Sequence, residues 1–183
     1  MDALENQIRQ LLDREEIRAV LVSHARTLDR HDLDGLAEAY HEGAWENHGA
    51  FQRDARVLAS RTGEEHAAFC TAHLHYVSNH TIDLAGDLAH VETYFLAGLL
   101  RKDGLTEMVG GRYIDRLERR EGRWAIVERG CIVEWNGELQ PTRTPFDKAS
   151  FLQGQWNRDD LSYRRPLALV RESTETERPS AGQ

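Results

Sequence analysis

The chain is short of the residues and runs that several protein classes need. It has only 2 cysteines in 183 residues. Cys70 and Cys131 are far apart and lack C-x-x-C spacing, so the expectation is two reduced thiols in a cytoplasmic protein, not a disulfide framework. No apolar run reaches the ~18 residues that a membrane span requires. The opening MDALENQIRQ is polar and amphipathic, which argues against a signal peptide. No run of five basic residues occurs, and 31 Asp+Glu against 23 Lys+Arg give a formal net charge of −8. Nucleic acid and anionic membrane surfaces reward clustered positive charge, so neither is an expected partner. There is no G-x-G-x-x-G after a strand, no P-loop, no G-x-S-x-G turn, no H-E-x-x-H and no C-x-x-C. Neither a nicotinamide Rossmann site nor a P-loop is therefore supported, and no resident metal is expected, although His73-x-His75 places two imidazoles on one strand face and lacks only an identifiable third ligand.

What is present suits one domain. A chain of this length buries roughly two-thirds of its unfolded surface and needs no staple. Residues 1–170 read as a single domain, and RESTETERPSAGQ from Arg171 as a disordered tail with little apolar side chain to bury. Ile8, Leu11, Leu12, Ile17, Val20, Leu21, His24 and Leu28 recur at three- and four-residue steps, predicting two helices or one bent helix over about 3–30. Asp32 is placed to cap a short helix ending before Gly43. Strand-like pieces are expected around Trp45 and Val57. The capping-box spacing of Thr62 and Glu65 predicts a helix running to about Ala72.

The second half changes period. Segments 74–85, 88–101, 106–119 and 123–135 are rich in β-branched and aromatic residues, and Gly86-Asp87-type turn signals separate them, which predicts an antiparallel meander. Helices followed by strands is the α+β pattern, with helices on one face of a curved sheet. Gly110-Gly111 suggests a bulge or a close backbone approach.

Nine histidines are unusual for this length, and eight fall between residues 24 and 80. His24 lies on the apolar stripe of the second helical stretch, with Ile17, Val20, Leu21 and Leu28, and points inward, as either a core histidine or a site residue. Asp29 follows five residues later, about 140° around the helix. Strand alternation puts His73, His75, Val77, Asn79 and Thr81 on one face. It puts Arg129 among Ala125, Val127, Cys131 and Val133. A lone cation on an apolar face needs a carboxylate partner, a wet cavity or an anionic substrate. His31, His41, His48, His66, His73, His80 and His90 read as surface or strand-end residues.

The segments from Ala25 to Asp32, LDGLAEAYHEGAWENHG, His75-Tyr-Val-Ser-Asn79-His and GGRYIDRLERREGRWAIVERG together resemble the SnoaL-like branch of the NTF2-like superfamily. The resemblance covers about residues 5–135 and is strongest to the group with bile-acid 7α-dehydratase, scytalone dehydratase and hexachlorocyclohexane dehydrochlorinase. It implies a cone-shaped fold with an internal apolar pocket, no cofactor, and often a trimer. It also implies a histidine base, matched by His75, and an orienting aspartate, matched by Asp29. His24 occupies a position that is Tyr or Lys in relatives, and Arg129 matches an arginine late in the last strand. The resulting expectation is a cofactor-independent dehydratase-type lyase acting on a hydrophobic small molecule such as a steroid-like or polyketide-derived ring. An isomerase or aldol-type cyclase using the same base, and a non-catalytic small-molecule-binding module, stay open as alternatives.

Overall fold

No glycine or proline interrupts the first predicted helical stretch, and it forms one helix, α1 (Ala3–Asp29), in a computed structural model that describes residues 3–140, 151–167 and 169. The apolar period is only half used. Leu4, Ile8, Leu11 and Leu12 stay exposed, whereas Asp13, Ile17, Leu21, His24 and Leu28 are buried against the sheet. Asp13 fixes this contact by accepting hydrogen bonds from Trp124 Nε1 at 3.1 Å and from Arg119.

Helix α2 (Leu33–Glu38) starts at Asp32, whose side chain accepts from Gly35 N. It stops earlier than the sequence suggests, because Tyr40 already begins strand β1 (Tyr40–His48). Strand β2 (Phe51–Asp54) leads into α3 (Ala55–Phe69), which Asp54 caps through the N–H groups of Arg56 and Val57. Val57 is thus helical, and the expected cap at Thr62 lies inside the helix, where its hydroxyl donates to the Leu58 carbonyl at 2.9 Å. Both residues types compete for local backbone groups, and the earlier Asp wins because two free N–H groups face it.

Strands β3 (Cys70–Ala85), β4 (Leu88–Arg101), β5 (Thr106–Arg120) and β6 (Arg123–Leu139) form the predicted antiparallel meander. The six-stranded sheet has the order β2-β1-β6-β5-β4-β3 and does not close on itself. One pairing departs from the expectation: β1 runs parallel to β6, because the chain enters β1 from α2 and not from a hairpin. The fold is the expected α+β arrangement of helices against a curved sheet.

Bulges break strict alternation where the sequence reading relied on it. In β3 the register slips between Ser78 and Thr81, with Asn79 in the left-handed region at φ 51°. His73, His75 and Val77 lean inward before the slip and His80 and Ile82 after it, so Asn79 and Thr81 do not continue the first face. In β6 the register slips at Val127, and Trp124, Ala125, Ile126 and Val127 are all buried. A second slip lies opposite Gly110 and Gly111. A Cβ on Gly111 would stand 2.0 Å from the Ile132 carbonyl oxygen, so the backbones approach as only glycine permits.

The main core packs Ile17 and Leu21 of α1 on Tyr40, Val91, Leu117, Trp124 and Ile126. The segment after the sheet returns to the α1–α2 junction. Tyr163 donates to Asp32 at 3.0 Å, and Asp160 pairs with Arg30 at 3.0 Å. The tail expected from Arg171 and the aromatic Phe146 lie outside the described residues. Among the described residues, no helix is long and apolar enough to cross a membrane.

Candidate functional site

The last turn of α1 brings a carboxylate to the edge strand. Asp29 Oδ1 accepts from His75 Nδ1 at 2.7 Å, and Oδ2 accepts from the His75 backbone N–H at 2.9 Å. The same Oδ1 accepts from His73 Nδ1 at 3.2 Å. Burial works against this carboxylate, but the hydrogen bonds from His73 and His75 outweigh it and hold its pKa below the ordinary range. With Nδ1–H committed to Asp29, each ring presents Nε2 as a bare lone pair.

His75 lines a cavity of about 440 Å³ between the sheet, α1 and α3. The walls are largely apolar and include Leu28, Leu36, Leu58, Ala59, Phe51 and Phe69. Such a size and lining suit a compact organic molecule.

A second polar group forms the opposite wall. Tyr40 donates to Glu46 Oε2 at 2.5 Å, and His48 Nδ1 donates to Glu46 Oε1 at 3.0 Å. Burial opposes charge on His48, but Cys131 and Glu46 outweigh it and raise its pKa to about 10. Burial and then Glu46 raise the Tyr40 pKa well above its ordinary value, so the phenol stays protonated at neutral pH. Tyr40, Glu46 and His48 all line the cavity. The sequence reading missed them because β1 carries few apolar residues. The available signal was the spacing of Ala44, Glu46 and His48, which puts them on one face of a strand.

His24 joins this group. Its Nε2 lies 2.9 Å from Tyr40 Oη and 2.9 Å from Arg129 Nη1. A guanidinium only donates, so Nε2 accepts and the ring proton is assigned to Nδ1. Burial and then Arg129 push the His24 pKa well below its ordinary value, in keeping with a neutral ring. His24 lines the cavity and is not free to act as a base at Nε2.

Arg129 has the partner that its position demands. Its Nε and Nη2 donate to the two oxygens of Asp115, both at 2.7 Å, directly across β5 and β6. Its guanidinium also lies 4.4 Å from the Tyr113 ring centroid. Burial disfavours the cation, but Asp115 outweighs it and raises the Arg129 pKa. Arg129 is not among the residues that line the cavity; it stands behind His24 and Tyr113.

The remaining histidines are less peripheral than expected. His73 is 1% exposed, and its Nε2 lies 2.8 Å from His31 Nε2. His41 is buried and bonds the Glu118 carbonyl at 3.0 Å. His80 is half-buried beside Thr93. His66 lines the cavity and has a buried Nδ1 without a hydrogen-bond partner among the described residues. Burial and then neighbouring charges lower His31 to about 4 and His66 to about 3, leaving both neutral. Two sets of side chains have geometry compatible with a metal ion, His31–His66–His73 and Asp29–His73–His75.

Comparison with known proteins agrees with this arrangement of elements. The profile of the SnoaL-like domain matches residues 9–130. A scytalone dehydratase-like protein from Novosphingobium aromaticivorans superposes with a TM-score of 0.65 at 20% identity, over 73% of this chain and 91% of its own. Hexachlorocyclohexane dehydrochlorinase LinA-type3 from Novosphingobium barchaimii gives a TM-score of 0.69 at 15% identity, over 76% of this chain and 98% of its own. The β subunit assigned to an aromatic-ring-hydroxylating dioxygenase of Novosphingobium aromaticivorans gives 0.58 at 18% identity, over 69% and 92% of the two chains. At these identities the likeness is one of fold. No curated protein matches the chain by sequence.

Proposed function

The chain belongs to the SnoaL-like family of the NTF2-like superfamily, and on that premise we propose that it is a lyase of dehydratase type acting on a hydrophobic ring compound. The observation that carries this reading is the Asp29–His75 pair, 2.7 Å apart, with His75 opening on a mainly apolar cavity. In this reading His75 Nε2 takes a proton from a substrate carbon, and Asp29 holds the ring and stabilises the imidazolium that forms. The C–H electron pair becomes the new double bond. The C–O bond breaks with its pair on oxygen, which takes a proton from His48 and leaves as water. Glu46 holds His48 for this step, as Asp29 holds His75.

His24 has a different role here from the base. Its accepting nitrogen is occupied by Arg129, so it donates from Nδ1 to a substrate oxygen and stabilises developing negative charge. Arg129 and Asp115 act as positioning residues that set this tautomer. The two dehydratase-type and dehydrochlorinase neighbours support an elimination, and the dioxygenase subunit shows that the fold alone does not decide it. The exposed Leu4, Leu11, Val133 and Trp135 support self-association, with a trimer as the form expected of the family.

The test incubates the 183-residue chain with hydroxylated and halogenated alicyclic compounds and measures product mass. Loss of water or hydrogen halide, abolished in His75→Ala, is the expected result. A product of unchanged mass assigns an isomerase instead, and turnover equal to the parent in His75→Ala overturns the base assignment.

A further inference from the structure

We propose that His31, His66 and His73 form a binding site for a divalent transition-metal ion of the zinc class, distinct from the His75 base. One ring nitrogen of each lies within 4.8 Å of the other two. His73 comes from β3, and the two ligands that spacing in the sequence does not reveal come from the turn after α1, His31, and from α3, His66.

Each ring is held in a way that favours ligation. His73 has its Nδ1–H on Asp29 and its side chain fully buried, so its Nε2 lone pair points at His31 Nε2. A carboxylate behind an imidazole in this manner fixes the tautomer and orientation of metal-bound histidines.

His31 sits where a helix usually ends in glycine. Its N–H donates to the Leu28 carbonyl at 3.2 Å, and the next N–H, of Asp32, reaches the Thr27 carbonyl at 2.9 Å. These two bonds close a Schellman turn with His31 in the left-handed position at φ 50°. A side chain there is disfavoured relative to the right-handed conformation. The imidazole so placed is also clamped from above, stacked on Trp156 with ring centroids 4.1 Å apart.

His66 supplies the independent observation. Its Nδ1 is buried and has no hydrogen-bond partner among the described residues. A buried polar atom left unpaired forfeits its hydration without compensation, so such atoms are rare without a purpose. Ring centroids of His66 and His73 are 4.4 Å apart. Zinc at about 2.0–2.1 Å from each nitrogen places ligand atoms roughly 3.3 Å apart. The present 2.8 Å between His31 and His73 therefore opens by about half an ångström, and His66 closes toward them. Three imidazoles leave a fourth position for water or another ligand.

The test uses the untagged 183-residue chain, freed of metal with a chelator and titrated with ZnCl2 alone, with bound metal read by elemental analysis and by isothermal titration calorimetry. One zinc per chain is expected. His31→Gln and His66→Gln should each weaken binding by at least about 100-fold, beyond the 10–100-fold typical of an outer-shell change such as Asp29→Asn. His80→Gln, outside the cluster, should leave stoichiometry and affinity unchanged. If a ligand variant does not fold by circular dichroism, X-ray absorption of the zinc-loaded parent counts imidazoles directly. Absence of zinc binding, retention of tight binding in either variant, or fewer than three imidazoles on the metal overturns the proposal.

Discussion

Asp29 Oδ1 serves two imidazoles at once, accepting from His75 Nδ1 at 2.7 Å and from His73 Nδ1 at 3.2 Å. Replacing this carboxylate removes the charge that stabilises a protonated His75 and frees both rings to change tautomer. Asp29→Asn is expected to lower kcat by about 10²–10⁴-fold, the range of a general-base contribution, with KM changing less. Steady-state kinetics on any substrate found by the product-mass screen checks this, and a KM effect without a kcat effect contradicts it.

The Arg129–Asp115 pair is fully buried and bidentate. Removing one partner leaves an uncompensated charge in the core, so Asp115→Asn should destabilise the fold by about 3–5 kcal/mol. Replacing both with apolar residues, as in Asp115→Leu with Arg129→Met, should cost less than the single change. Urea unfolding midpoints of the parent, Asp115→Leu, Arg129→Met and the double variant measure the coupling. An additive double variant would mean that the two side chains do not act as a pair.

Ala59 is buried on α3 with its side chain on the cavity wall. Ala59→Phe places a ring in the space assigned to substrate. Overpacking of this kind costs about 1–3 kcal/mol at most sites. The expected outcome is a folded protein whose KM rises by more than about tenfold, a loss of roughly 1.4 kcal/mol of binding. Unaltered kinetics would move the substrate to another surface.

His48 gives a pH-dependent stability with a definite sign. Its folded pKa is raised to about 10 from an ordinary 6.5, although burial opposes this, through Cys131 and Glu46. A raised histidine stabilises the fold fully below the unfolded value and loses that contribution as pH climbs toward the folded one. The gap in Tm between the parent and His48→Gln should therefore be widest below pH 6.5 and shrink through the window up to about pH 10. A gap that widens with rising pH would show that His48 is neutral in the fold.

The elements were largely legible because their period or their turns are strong. α1 lacks breakers, and the four long strands are separated by Gly-containing turns at Gly86, Gly104 and Gly122, all with positive φ. The inward His24 and the need of Arg129 for a counter-charge also followed from single-face arguments. What the sequence obscured has common physical causes. Strict alternation fails across the slips at Asn79 and Val127, so face assignments made from one end of a strand do not hold at the other. Glu46 and His48 sit on a strand whose partner β6 is some 80 residues away, and local pattern cannot show that pairing. His73 looked like a strand end because its burial comes from Asp29, His31 and Trp156, each from a different part of the chain.

The slip at Asn79 makes β3 two strands in one. Its first half supplies His73 and His75, and its second half supplies Ile82 to the core. Pairing all of its residues without the slip would force a choice: either Leu74 and Tyr76 replace the histidines at the site, or the core loses Ile82. The same residues in one unbroken register could keep the core or the chemistry on this strand, but not both. The left-handed Asn79 thus acts as a gear between two registers, letting the site and the core vary in sequence independently of each other.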